Sequence, residues 1–386
     1  MRNLHLFLSS IEHETRLFKE ARATLDLGIF NDVWVLGLQA ADRPDDEIHE
    51  SGLRIRRLRT ASTRQALSGR AGSRIRRILN AGGSLMQYAV SSIQEARRGK
   101  PSHITCHNPI LLPIAFLAAR TCGAKVVYAP HELEAERTGL QGLYRKFSAA
   151  AERHFAPRCA SVVVVCAPIA DWYRGRYGLN EVHVVRAIPE GRAVAARDLT
   201  ARAHIRSAHS VPQDALLFIY QGLLEPIRGI DTLIDAFLGL DEPYHLMFMG
   251  YGSSEPAIRD AMLKSPRIHF QPSVPVDEIV RYSAAADVGV FVLANPISRS
   301  YALSLPNKFF EYLFAGLPVV VSDNLELLSA LVSEHRLGWV VSPSNLATVV
   351  RSCTPAAIGG FISSVDTFAA ENSWLNERQL FRAVYQ

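Results

Sequence analysis

Short runs of β-branched and other apolar residues alternate along the chain with longer amphipathic stretches whose apolar positions recur every three or four residues. Parallel sheets covered by helices on both faces require this alternation, so the class is α/β. In the first half the pattern predicts strands at 3–8, 32–38, 104–106, 125–129, 161–166 and 183–185, with helices over 15–27, 73–98, 110–121, 139–155 and 167–176. In the second half it predicts strands at 215–220, 244–249, 268–270, 288–292, 318–322 and 339–341. Each half reads as its own doubly wound sheet. Residues 188–212 hold Pro, Gly and many small or charged residues without a sustained apolar period, and mark the connection. The expected division is 1–188, 189–364 and a terminal helix over 365–386.

A chain of 386 residues, 48% of them hydrophobic, has room for two cores of ordinary size. Its cysteines, Cys106, Cys122, Cys159, Cys166 and Cys353, are scattered and lack paired spacing. Neither a disulfide framework nor a zinc site is suggested, which fits a reducing cytoplasm. The N-terminal apolar run is broken by His5 and Glu12 and reads as a first strand, not a signal peptide. The longest apolar stretch, 109–119, is well short of the roughly 20 residues that cross a bilayer, so membrane contact would be peripheral.

The net charge of +5 is unevenly placed. Between Arg54 and Lys100 stand Arg56, Arg57, Arg59, Arg64, Arg70, Arg74, Arg76, Arg77, Arg97 and Arg98, against Glu95 alone. Such a run is either a solvated loop or a patch that attracts anionic headgroups at the inner face of the plasma membrane. Nucleic acid is disfavoured, because no recognised nucleic-acid module accompanies the patch.

Ligands of open α/β sheets bind outside the carboxyl ends of the strands, and two such sheets facing each other leave a cleft. Residues just after strands are therefore the informative ones. Tyr220 to Gly229 (YQGLLEPIRG) follows a strand and precedes a helix with an apolar stripe at Ile230, Leu233, Ile234, Phe237 and Leu238. Gly222 permits close backbone approach, Gly229 leads into the helix, and Arg228 adds a cation. The segment is either an ordinary strand-to-helix turn or a diphosphate site. Gly250 and Gly252 close the next strand in Met249 to Ser253 (MGYGS), where bare backbone suits a tight turn or a packed nucleoside.

The most telling block is Ser304 to Asp323 (SLPNKFFEYLFAGLPVVVSD). Ser304 is a candidate N-cap, Pro306 and Asn307 suit a first turn, and Gly316 with Pro318 ends the helix before an apolar strand. At 100° per residue, Phe309, Phe310, Leu313 and Phe314 share one face and Lys308, Glu311 and Tyr312 the other. A solvated Lys308–Glu311 pair would have the less favourable order for an intrahelical ion pair. A carboxylate there could instead accept both hydroxyls of a ribose, with Lys308 facing phosphate oxygens. In the first half, His107 and His131 each follow a strand; His131, in HELE, is the better candidate to hydrogen-bond a sugar hydroxyl.

Together these residues resemble the retaining glycosyltransferases of family four, in particular the branch that builds bacterial surface and capsular polysaccharides. The resemblance spans nearly the whole chain: R-x-x-K-E-A at Arg16 to Ala21, the HE pair at His131, RG at Arg228, GYG at Gly250, PNKFFEY at Pro306, AGLPVVVSD after it, and S-W at Ser373. It implies the GT-B architecture of two Rossmann-like domains, an N-terminal one for the acceptor and a C-terminal one for the nucleotide-sugar, with the terminal helix crossing back. It implies that Arg228 neutralises the donor diphosphate, that Glu311 binds the ribose, and that Ser304 to Lys308 hold phosphates or the donor sugar. Leu223 stands where the family's G-R-L pattern has arginine, and Leu303 where its E-x7-E pattern has the first glutamate. Asn295, Ser300 and Tyr301 become the candidates for the sugar contact.

The implied activity is metal-independent transfer of a sugar, with retention, from a UDP-sugar or, second to it, a GDP-sugar to a saccharide or lipid-linked acceptor. The nucleotide-sugar is a co-substrate, and no cofactor is expected. No D-x-D triplet occurs in the chain, and preorganised cations and helix N-termini can meet the leaving-group charge. Two alternatives share the architecture: a non-catalytic subunit acting as a binding or assembly partner, and a UDP-sugar epimerase, which would need carboxylates not evident around 299–305. A Rossmann dehydrogenase is disfavoured, since no G-x-G-x-x-G follows the first strand.

Overall fold

The computed structural model describes residues 1–12, 14–40, 43–63, 74–134, 142–190, 199–294 and 297–386, with the side chains of 74–79 and 143 outside that description. Arg64, Arg70 and Asn295, and the side chains of Arg74, Arg76 and Arg77, thus lie outside the described residues. The chain divides into two compact units, Met1–Arg186 with Asn376–Gln386, and Ala187–Leu375.

The first unit is built on β1 (Arg2–Leu6), β2 (Asp32–Leu38), β3 (Asp46–Ile48), β4 (Arg54–Leu58), β5 (His103–Cys106), β6 (Lys125–Tyr128), β7 (Ser161–Val164) and β8 (Val182–Val184), in the order β3-β4-β2-β1-β5-β6-β7-β8. Only the β3–β4 pairing is antiparallel. Strands β5 and β7 are buried at every position, as expected of parallel strands covered on both faces. The helices Thr15–Asp26, Arg74–Gly99, Leu112–Cys122, Gly142–Phe155 and Ala167–Tyr177 fall where the apolar periodicity places them. The strand order reverses between β1 and β5, and the open end of the sheet at that point carries His107.

The basic run does not begin as a loop. Arg54–Leu58 is a strand, and its neighbours bring acids to its arginines: Arg54 pairs with Asp32 at 3.1 Å, Arg56 with Asp46 and Glu95 at 2.7 Å each, and Arg57 with Glu47 at 2.6 Å. Arg59 meets Asp45 at 3.0 Å. Arg57 is buried and also donates to the carbonyls of Ser10, Ile11 and Pro44. Sequence order hid most of this match, because Asp32, Asp45, Asp46 and Glu47 precede the run and are brought to it by strand pairing.

The second unit holds β9 (Leu216–Leu223), β10 (Tyr244–Tyr251), β11 (Ile268–Pro272), β12 (Val288–Phe291), β13 (Val319–Ser322) and β14 (Gly338–Val341), all parallel, in the order β11-β10-β9-β12-β13-β14. Counted from β9 this is the 3-2-1-4-5-6 order of dinucleotide-binding sheets, with its reversal between β9 and β12. Helix Ile230–Leu238 buries Ile230, Leu233, Ile234 and Phe237, the stripe read from the sequence.

Two segments depart from the sequence reading. Within the region read as a plain connection lies a helix, Leu199–Ala208. It is fastened by polar contacts: Arg202 and the fully buried Arg206 reach Asp287 at 2.6 and 3.4 Å, and Asp287 also accepts from the Leu217 amide at 2.8 Å. The end of the chain is not one helix over 365–386 but Pro355–Glu371 followed by the short pieces Trp374–Glu377, Arg378–Leu380 and Phe381–Val384. Asn372 interrupts it with an extended backbone. The last residues join the first unit, where Glu377 accepts from Arg186 Nε at 2.8 Å and the Val384 carbonyl from Ser161 at 2.8 Å.

Candidate active site

In the second unit the predicted residues gather at the β9–β12 reversal. β9 runs buried through Gln221 and emerges at Gly222 and Leu223. A short 3-10 turn, Pro226–Arg228, then feeds helix Ile230–Leu238 through Gly229 at φ 76°. A side chain at Gly229 would place its Cβ 2.0 Å from the Val292 carbonyl, so the glycine lets this turn lie against the end of β12. The amides of Arg228 and Gly229 are used inside the turn, by Glu225 and Pro226, and are not open to a ligand. The cation of Arg228 is what the turn presents.

Gly250 and Gly252 answer to the sheet. At φ 152° and 154°, a Cβ would lie 1.9 Å from the Gly222 carbonyl and 2.2 Å from the Leu224 carbonyl respectively. Glu225 ties the two exits together by accepting from the Ser253 amide at 3.1 Å and from its hydroxyl. The rim that supports Gly222 is therefore held from both strands.

Helix Asn307–Phe314 supplies the other wall. Its N-cap is Pro306, with extended backbone and no side-chain cap bond; the expected Ser304 cap is not made, because Ser304 closes the preceding short helix Arg299–Ala302 through its own amide to Tyr301. The helix buries every residue from Phe309 to Phe314, so the expected polar edge is not a solvated face. Glu311 is only 8% exposed and accepts from Gln221 Nε2 at 2.5 Å, while Ser283 donates to Gln221 Oε1 at 2.7 Å. Tyr312 packs against β12 at Gly289 and accepts from the Gln221 amide at 2.9 Å. One polar strand residue, Gln221, thus helps to orient a buried carboxylate.

Lys308 is separate from Glu311. Its Nζ lies 3.8 Å from the centre of the Tyr220 ring and 4.6 Å from that of Phe291, beside Gly222, and makes no hydrogen bond or ion pair among the described residues. Burial pulls Lys308 well below the ordinary lysine range, Arg228 adds to that, and Glu311 opposes it. Arg228 stacks on Tyr301 at 4.8 Å, has no carboxylate partner among the described residues, and keeps a buried Nε without a hydrogen bond. Two cations thus share one site, each held by aromatic faces. Ring contact supplies no opposite charge, so an anion arriving here meets Arg228 and favours the protonated form of Lys308.

Of the candidate sugar contacts, Ser300 is buried and Tyr301 is engaged with Arg228; Leu303, standing in place of the family's glutamate, is buried. Gln221, Ser283, Tyr220 and Phe291 were not singled out from the sequence. A glutamine inside a strand that is otherwise apolar was the available signal.

In the first unit, His131 follows β6 and is half-buried, with Nε2 3.1 Å from His107 Nδ1 and its ring stacked on Phe7. Arg16, from the R-x-x-K-E-A helix, donates to the Pro130 carbonyl at 3.2 Å and to that of Val163 at 3.4 Å, fixing the turn that carries His131. Behind it His107 and His5 are fully buried, 2.9 Å apart. Burial lowers His5 to about 3. Burial lowers His107 well below the usual histidine range, with His131, His5 and Arg16 adding to the effect. Both inner rings are neutral near pH 7.

Two Rossmann-like units, each built on a mostly parallel sheet, are the architecture of the GT-B glycosyltransferases. The chain belongs to glycosyltransferase family four: residues 21–191 match the family described as Glycosyltransferase Family 4, and residues 215–354 that described as Glycosyl transferases group 1. Among solved structures it is similar to HepE of Anabaena in complex with UDP-glucose, at 13% identity and TM-score 0.69, covering 100% of this chain and 99% of that one. It is similar to sucrose-phosphate synthase from Thermosynechococcus elongatus, at 15% identity and TM-score 0.74, covering 100% and 99%. It is also similar to WaaG, a glycosyltransferase involved in lipopolysaccharide biosynthesis, at 14% identity and TM-score 0.68, covering 100% and 98%. No curated protein matches it by sequence. Among the described residues no single helix is long and apolar enough to cross a membrane.

Proposed function

We propose that this enzyme transfers a sugar from a UDP-sugar to a saccharide or lipid-linked acceptor in surface polysaccharide synthesis, with retention of configuration. The reading rests chiefly on the Arg228 and Lys308 cations, which lack an acid partner at the β9–β12 switch point beside Gly222. A diphosphate supplies the missing charge, and the same cations stabilise it as it leaves. Glu311, oriented by Gln221, accepts the ribose hydroxyls at the other end of the site. Tyr301, Ser304, Pro306 and Asn307 border the phosphates, and Gly222, Gly229, Gly250 and Gly252 shape the floor. HepE, a structural neighbour of the same fold, has been captured with UDP-glucose and with UDP. This supports uridine over guanosine.

In this reading His131, on the acceptor-binding unit, contacts a sugar hydroxyl. The exposed Arg97, Arg98 and Lys100 at the end of helix Arg74–Gly99 provide peripheral contact with anionic headgroups at the cytoplasmic face. Isothermal titration of UDP and GDP against the wild type and Lys308→Met tests the donor site. Tight UDP binding lost in the variant supports it; no UDP or GDP binding by the wild type overturns it. Salt-insensitive behaviour toward anionic vesicles would remove the membrane part alone.

A further inference from the structure

Three histidines of the first unit, His5, His107 and His131, form a line that begins at an amide. Asn3 Nδ2 lies 2.9 Å from His5 Nε2, His5 Nδ1 lies 2.9 Å from His107 Nε2, and His107 Nδ1 lies 3.1 Å from His131 Nε2. The line starts inside β1, crosses to the end of β5 at the point where the strand order reverses, and ends at the turn after β6. All of its members belong to one unit.

A neutral imidazole has one N–H and one bare nitrogen, so a direction imposed at either end passes through the whole line. The Asn3 amide nitrogen only donates. His5 Nε2 is then the acceptor, and its proton sits on Nδ1. His5 Nδ1–H donates to His107 Nε2, and His107 Nδ1–H donates to His131 Nε2. The His131 proton is left on Nδ1.

Thr105 Oγ1 lies 3.1 Å from Asn3 Oδ1 and 3.0 Å from Asn3 Nδ2, so in this direction its hydroxyl can donate to the amide oxygen.

We infer that Asn3 is a positioning residue: acting through His5 and His107, it holds His131 in the Nδ1–H tautomer, so that the ring meets a sugar oxygen as a hydrogen-bond donor and not as a base. The consequence for the reaction rests on the glycosyl-transfer reading above, since it concerns which group His131 addresses. A base at this position would need a bare Nδ1, and that requires every proton in the line to move and the Asn3 amide to turn over. The acceptor's proton therefore leaves by another route.

Nitrogen-15 spectra of the full chain labelled at histidine, recorded near pH 7.5, read the tautomers directly. Assignment by His5→Gln and His131→Gln should give His5, His107 and His131 all as Nδ1–H imidazoles. Asn3→Asp replaces the donor with an acceptor of the same shape and should reverse the line, moving the His131 proton to Nε2. A wild-type His131 in the Nε2–H form overturns the inference, as does a folded Asn3→Asp whose His131 tautomer is unchanged. If Asn3→Asp does not fold, the wild-type spectrum decides alone. The measurement needs no substrate, so a wrong tautomer and a wrong glycosyl-transfer reading are separate results.

Discussion

Gln221 and Glu311 are joined by a 2.5 Å hydrogen bond, and the same glutamine is gripped from its other side by Ser283. The carboxylate is thus aimed by a residue of β9 while it sits on a helix that enters 86 positions after Gln221, at Asn307. If Glu311 holds the ribose, Glu311→Ala should weaken UDP about 10–100-fold, the worth of one or two charge-assisted hydrogen bonds. Arg54→Ala, in the first unit, should leave UDP affinity unchanged. Gln221→Leu should weaken UDP less and lower stability by about 1–3 kcal/mol, because Glu311 and Ser283 lose their partner. Titration calorimetry and urea unfolding separate the effects.

Lys308 gives donor binding a pH dependence. Its pKa is depressed in the empty site by burial and by Arg228, and a bound diphosphate favours the charged form. Binding therefore takes up protons, and UDP affinity should fall as pH rises through the depressed pKa. Heats measured in buffers of different ionisation enthalpy should reveal the uptake; buffer-independent heats across that range would contradict it. For stability the sign is opposite. The unfolded lysine binds a proton more readily than the folded one, so this residue's contribution grows as pH rises from below its folded pKa toward the unfolded value.

Lys308→Met removes a cation that the empty protein desolvates without an ion pair. UDP affinity should fall about 100-fold, while stability rises by about 1 kcal/mol. Thermal unfolding with and without UDP reads both. A variant that binds normally would detach Lys308 from the donor.

Tyr301 holds Arg228 by its ring face at 4.8 Å. Tyr301→Phe should retain UDP affinity, whereas Tyr301→Leu should reduce it about 2–5-fold, in line with about 0.5–1 kcal/mol for a cation–π contact. Uridine, which lacks the phosphates, should bind the two variants alike.

Asp287→Ala strands Arg202 and Arg206, the latter fully buried. Losing one partner of a buried ion network costs about 3–5 kcal/mol. A sharp drop in the unfolding midpoint of the second unit is expected, and a small one would show that the carbonyls of Ala285, Pro212 and Ala215 suffice for Arg206.

Most of the sheets were legible because parallel strands buried on both faces leave unmistakable apolar runs, as at Val319–Ser322. Strands β3 and β4 were not, because Asp46–Ile48 and Arg54–Leu58 carry charges, paired across the two strands, in place of an apolar run. Helix Leu199–Ala208 escaped notice for the same reason: guanidinium contacts dock it in place of a broad apolar stripe. At the site, the block from Ser304 announced itself, but its partners did not. Gln221 and the rings of Tyr220 and Phe291 act through distances that no spacing encodes. The line of histidines was equally hidden, since His5 and His107 are 102 residues apart and meet only because β1 lies beside β5.

The pairing of β3 with β4 bears on how the protein behaves in a crowded solution. β3 is the outermost strand of its sheet, only three residues long, with Asp46 and Glu47 each drawn to an arginine of β4. A strand arriving from another molecule would meet a brief ladder fringed with charge and would have to displace those ion pairs before adding to the sheet. The arginine-rich stretch that looks from the sequence like an invitation to other molecules is, at this border, already paired with acids of its own sheet.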